Sequence, residues 1–143
     1  MTLDDLDNSL PNGFHDAEIF SFDLSYVTGI AKLHMNLWVG SMEQPPPQRD
    51  AYQEATLRIT GLCFWSIDPP DTAYPFLPDG KPILVSGANA KVDSPPFSSE
   101  LVARFPANTW CYHFFVNDWN SCIHIAGRDA KVDWIGEKPK GAA

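Results

Sequence analysis

Paired cysteines, a basic leader, a long apolar run and a surplus of positive charge are all missing from this chain, and each absence closes off a class of function. The cysteines are three, Cys63, Cys111 and Cys122, an odd number without CxxC spacing. They read as reduced, buried thiols in a cytoplasmic protein rather than as a disulfide framework. Met1 to Leu10 carries three aspartates and no basic stretch ahead of an apolar one, so no secretory signal is expected there. No apolar stretch approaches the roughly 20 residues of a membrane-spanning helix. Lys and Arg number 10 against 18 Asp and Glu, a formal charge of −8. That balance argues against nucleic acid, whose binding relies on cations neutralising phosphates, and against an anionic membrane surface. A partner selected by charge would be basic.

Motifs are also scarce. GxxxxGK[ST], GxGxxG, HExxH, GxSxG and DxDxDG are absent, so phosphate, dinucleotide, zinc-protease, serine-hydrolase and calcium chemistry lack support, and no cofactor is expected. The carboxylates are scattered without a spacing that dictates acid–base geometry.

What the chain does have is apolar material, with 44% hydrophobic and 13% aromatic residues over 143 positions. That is enough for one core in a single domain, residues 1–143. Its clearest pattern is alternation. Phe20, Phe22, Leu24 and Tyr26 alternate with Ser21, Asp23 and Ser25, and Ala31, Leu33, Met35, Leu37 and Val39 alternate with Lys32, His34, Asn36 and Trp38. Both are the period of a half-buried strand. A two-residue turn at Thr28-Gly29 would set Tyr26 opposite Ala31, Leu24 opposite Leu33, Phe22 opposite Met35 and Phe20 opposite Leu37, with Asp23–His34 and Ile19–Trp38 paired on the outer face. A slip of one residue would turn one apolar set outward.

Ala55, Leu57 and Ile59 begin a third strand whose alternation fails at Gly61, where a bulge or bend is expected before Leu62 to Ile67. The proline-rich stretches Ser41–Asp50 and Asp68–Lys81 read as irregular. Ile83–Ser86, Thr109–Asn117, Ser121–Ala126 and Ala130–Ile135 complete the strands, with Asp118-Trp119 turning the last hairpin. One or two short helices are expected. Thr2 and Asp5 form a capping box ahead of Leu3, Leu6 and Leu10, and Ser98 or Ser99 caps a brief helix through Leu101, Val102 and Phe105 that Pro106 stops. About seven strands joined by proline-rich connections predict a mainly β domain, an antiparallel β-sandwich or strongly bent sheet.

Three places hold candidate polar groups. His15-Asp16 places an imidazole beside a carboxylate that could orient it, although Asp16 or Asn12 satisfying loop backbone donors would explain the same residues. Asp23 and His34 form a cross-strand pair of a kind common on solvated sheets, and the neighbouring Trp38 requires cover from a loop or a partner. The hairpin about Asp118-Trp119 sets His113 opposite His124 and Phe115 opposite Cys122, the beginning of a zinc site. Cys111 and Cys122 then stand four residues out of register, about 13 Å along the strand, too far to share one ion. No metal is therefore assigned to His113 and His124.

The segments Leu10-Pro11-Asn12-Gly13-Phe14-His15-Asp16-Ala17 and Phe114 to Ala126 resemble a family of small uncharacterised bacterial proteins with an LPNGxHDA-like opening and an FFVxDWNxxIHxA-like late hairpin. The opening is also similar to that of some bacterial immunity proteins, which neutralise a toxin by binding it. Neither resemblance implies catalytic residues. Together with the charge, they lead to a non-enzymatic protein-binding module, possible homodimerisation included. Its contact residues are His15, Asp16, Trp38, Asn117, Asp118, Trp119 and Asn120. The alternative is a small enzyme or ligand binder with His15, Asp16, His113 and His124 converging on one pocket.

Overall fold

A computed structural model describes residues 1–74, 76, 78–91 and 93–140. Pro75, part of the irregular Asp68–Lys81 stretch, lies outside the described residues. The chain starts with the expected capping box, in which Thr2 Oγ1 accepts from the Asp5 amide at 3.0 Å and Asp5 Oδ2 accepts from the Thr2 amide at 2.9 Å. The helix it opens, α1 (Leu3–Ser9), buries Leu3 and Leu6, and Leu10 follows them into the core.

The next residues act as a bracket. The Asn12 side-chain amide donates to the carbonyls of Trp38 at 3.0 Å and Gly40 at 2.7 Å, tying the chain ahead of the first strand to the end of the second. The group thus satisfies acceptors, whereas the sequence had pointed to donors. Gly13 adopts a φ of 57°, the left-handed region that glycine enters without steric cost. This turns Phe14 inward, where its ring meets Phe114 edge-on at 5.3 Å and its amide donates to Asp7 Oδ1 at 2.7 Å.

Eight antiparallel strands follow: β1 (Ala17–Ser25), β2 (Ile30–Trp38), β3 (Tyr52–Thr60), β4 (Phe64–Ile67), β5 (Ile83–Asn89), β6 (Trp110–Val116), β7 (Ser121–Gly127) and β8 (Asp129–Trp134). They form one sheet in the order β4-β7-β6-β5-β1-β2-β3-β8. A second short helix, α2 (Ser99–Val102), is capped by Ser98. Of the two expected architectures, the strongly bent single sheet is the one present, and it is not closed into a barrel. The bend lies where the alternation fails. Gly61 has a φ of 62° with the Arg128 side chain packed where a Cβ would stand, so β3 turns there into β4. Beside it β7 turns through Arg128 into β8, and the ladder crosses the corner through Arg128 N–H to Thr60 O (3.1 Å) and Cys63 N–H to Ala126 O (3.0 Å). Leu33, Leu57 and Ile59 from one half share a single core with Tyr112, Phe114, Ile123 and Ile125 from the other.

The first hairpin departs from the expected register. Ser25 faces Ile30, so the loop holds Tyr26 to Gly29, closed by Gly29 N–H to Ser25 O at 2.9 Å. Leu24 then opposes Ala31 and Phe22 opposes Leu33. The shift is two residues, which keeps each side chain on its face because strand side chains repeat with period two. Beyond Ser21 a bulge at Phe20 breaks the ladder, so Phe20 joins the outer face and stacks on His34 at 4.9 Å. Ile19 opposes Met35 and is buried, not paired with Trp38. Asp23 faces Lys32, and His34 lies 3.1 Å from Glu54. The last hairpin follows expectation, with His113 opposite His124 and Phe115 opposite Cys122.

The Asn12 bracket sets a test. Asn12→Asp keeps the shape but replaces a donor with an acceptor aimed at two carbonyls. Loss of two hydrogen bonds predicts destabilisation by about 2 kcal/mol for Asn12→Ala and no less for Asn12→Asp, measured by urea unfolding.

Candidate functional site

The sequence-derived candidates separate into different environments. His15 is exposed, 3.4 Å from its neighbour Asp16 and tilted against Trp38 at 6.1 Å between ring centroids. Asp16 has a φ of 52° and its carbonyl accepts from the Tyr52 hydroxyl at 3.0 Å. Trp38 obtains its cover from this chain, since its indole N–H donates to Arg49 O at 2.6 Å in the Ser41–Asp50 loop.

His113 and His124 sit elsewhere, on the outward face of β6 and β7, which the segment between β5 and β6 covers. Phe97 is buried there, edge-on to His124 at 6.1 Å and to Phe64 at 5.3 Å, and Phe105 approaches Phe64 at 6.1 Å. His124 Nε2–H donates to Asp68 Oδ2 at 2.9 Å, while Nδ1 is buried without a partner among the described residues. The convergence of His15, Asp16, His113 and His124 on one pocket is thus corrected: the first two lie in the open beside Trp38, whereas His124 packs against Phe97 with His113 beside it at 6.3 Å between ring centroids. Among the described residues, no group of three or more His, Cys, Asp or Glu is arranged to hold a metal ion.

The imidazole–carboxylate pair has no activated nucleophile beside it. The three thiols are less buried than expected, Cys63 being exposed and Cys111 and Cys122 half-buried. Desolvation, and then the Asp68 charge, still pushes the Cys122 thiol pKa up, and desolvation does the same to Cys63 and Cys111. A reactive cysteine needs the opposite shift, toward thiolate. Burial lowers the His113 pKa, with His124 adding to the effect, so His113 favours its neutral form.

An open groove of about 1090 Å³ is walled by Phe20 and Phe22 of β1, Ile67 at the end of β4, Tyr74, Phe76 and residues 78–82 of the connection to β5, and the Asp118-Trp119 turn. Phe20, Phe22, Tyr74 and Phe76 are all exposed, with Phe76 reaching 60%. Two features anchor the connection: Asp68 N–H donates to Cys122 O at 3.0 Å and Asp71 N–H to Trp119 O at 2.9 Å. Asp118 is a cap, accepting from the Leu84 amide at 2.8 Å through Oδ2. Trp119 is buried and meets Phe76 edge-on at 5.4 Å, forming part of the groove wall. Asn117 and Asn120 are exposed on the same turn, and Asn120 has a φ of 49°.

Sequence reasoning therefore reached one end of this groove, through Asp118 and Trp119, and missed the other. Tyr74 and Phe76 lie in a proline-rich stretch without periodicity, and alternation alone puts Phe20 in the core because it carries no sign of a bulge. Asp68, the partner of His124, is separated from it by 56 residues, and no local spacing announces the contact. No protein-family profile, curated protein or solved structure matches the chain.

A pH test follows from His113. Its pKa is lower in the folded state than in the unfolded chain, so the fold favours the neutral ring. The stability that this contributes is present above the ordinary histidine value of about 6.5 and is lost as pH falls below it, levelling off beneath the folded-state value. Urea unfolding between about pH 7.5 and about pH 5 should show a smaller loss of stability for His113→Gln than for the wild type.

Proposed function

We propose that this chain is a non-enzymatic binding module that takes part of a protein partner into the groove between β1, the end of β4 and the connection to β5. The observation that carries this reading is the gathering of Phe20, Phe22, Tyr74 and Phe76, all exposed, around one opening. Single exposed aromatics are ordinary, but a contiguous aromatic patch marks a surface that a partner covers. The net charge of −8 favours a basic partner by steering and by rejecting acidic competitors. A toxin neutralised by an acidic immunity-like protein is one such partner, in keeping with the likeness of the Leu10–Ala17 opening to immunity proteins. The enzyme reading has less support, because the thiols favour their protonated form and the His124–Asp68 pair lies beneath Phe97 with no activated nucleophile beside it.

Affinity capture from host lysate with the wild type and with a Tyr74→Asp, Phe76→Asp double variant tests the proposal. Both substitutions fall on exposed loop positions, so thermal unfolding of the variant should stay close to the wild type. The wild type should retain a basic protein that the double variant loses by about tenfold or more. Recovery of the bait alone, or equal recovery by both proteins, would count against the groove.

A further inference from the structure

β1 loses its second neighbour partway along its length. It pairs with β2 from Glu18 to Ser25 around the Phe20 bulge, but with β5 only at Ala17, Glu18 and Ile19. From Ser21 to Ser25 the side of β1 away from β2 has no strand beside it among the described residues. In an antiparallel ladder alternate residues direct their N–H and C=O to opposite neighbours. Half of these backbone groups on β1 therefore face outward without a strand to meet them. Ser21, Phe22 and Asp23 are exposed there, and Ser21 and Phe22 stand in one wall of the aromatic groove.

An occupant must satisfy both features. A small apolar ligand would cover the aromatics and leave the strand's amides to water. A docked helix has its own main-chain groups internally bonded and would do the same. An extended polypeptide offers main-chain donors and acceptors to β1 and can lay its side chains among the aromatics that line the groove. The charge also selects. Asp23, with Lys32 opposite it on β2, is the one ionisable residue between Phe20 and Ser25, and the groove wall carries Asp79 and Asp118 against the single cation Lys81 among the described lining residues. Lys and Arg on the incoming strand fit that balance. A second copy pairing through the same edge would instead bring two Asp23 carboxylates together, a like-charge arrangement that destabilises strand pairs.

We infer that the groove binds an extended, Lys- or Arg-bearing peptide segment that adds as a strand to β1 along Ser21–Ser25. This rests on the binding-module reading and specifies its partner. The test pans the full chain against a phage library of random linear peptides of about ten residues, the length of a long strand. Enriched sequences are then synthesised with N-methyl groups on either alternate set of backbone amides. Enrichment of apolar residues alternating with Lys or Arg is expected. One methylated set should weaken binding by about tenfold or more and the other much less, because only one set faces β1. Asp23→Lys should weaken the same peptides.

No enrichment would overturn the proposal. Equal binding by both methylated sets and the parent would overturn strand addition. If the Tyr74→Asp, Phe76→Asp variant still lost those peptides, the binding-module reading would survive, and if it retained them, both would fail. A concentration-dependent dimer that excludes the peptides would make a second copy the occupant and overturn the peptide assignment.

Discussion

Two backbone hydrogen bonds at the corner of the sheet, Arg128 N–H to Thr60 O and Cys63 N–H to Ala126 O, hold the β3–β4 path against the β7–β8 path where both turn. An antiparallel sheet can bend this sharply only if its ladder survives the bend, since a buried unpaired amide or carbonyl costs about 1–3 kcal/mol. Gly61 makes the turn possible with a φ of 62°, and the Arg128 side chain fills the space that its missing Cβ leaves. Once the sheet is folded, its inner faces enclose one core, and α1 packs against β5, β6 and β8. The same bend carries Trp65 of β4 to within 4.7 Å of Phe22 on β1. The connection from β4 must then travel past β1 to reach β5, and the groove lies beneath it.

Fold and function thus meet at β1. Its first residues are held between β2 and β5, and its later ones are held by β2 alone. The Phe20 bulge lies at the change. Bulges bend a strand and re-aim side chains, and here the bulge takes Phe20 out of the core and onto the groove wall. Natural sheets usually protect such an edge with charge, proline or cover. Asp23 is the charge on this one, and the 78–82 segment with Tyr74 and Phe76 stands opposite without filling the space between.

Much of this architecture was legible in the sequence because it is local and periodic. The alternation in β1 to β3, the capping box at Thr2 and Asp5, the bend at Gly61 and the pairing of His113 with His124 all depend on residues a few positions apart or on one short turn. The first hairpin's register was two residues out because the loop spans Tyr26 to Gly29, and alternation cannot distinguish shifts of two. Phe20 was misplaced because a bulge breaks periodicity at a single point. The LPNGFHDA segment drew attention to His15 and Asp16. Its organising residues are Asn12, Gly13 and Phe14, which tie the chain to β2, turn it and enter the core. The aromatic groove was the least legible feature, since it is assembled from a bulge, a strand end, an aperiodic connection and a turn.

Residue-resolved amide hydrogen exchange on the unliganded protein tests most directly whether β1 carries an unpaired edge. Protection follows hydrogen bonding and local opening, so it distinguishes a paired amide from a solvated one. Glu18 and Ile19, held from both sides, and Ala17, whose amide donates to Phe14 O, should be uniformly protected. From Ser21 to Ser25 slow and fast amides should alternate, the slow ones bonded to β2 and the fast ones facing the groove. Uniform protection through Ser25 would show that the edge is already covered and would contradict the account.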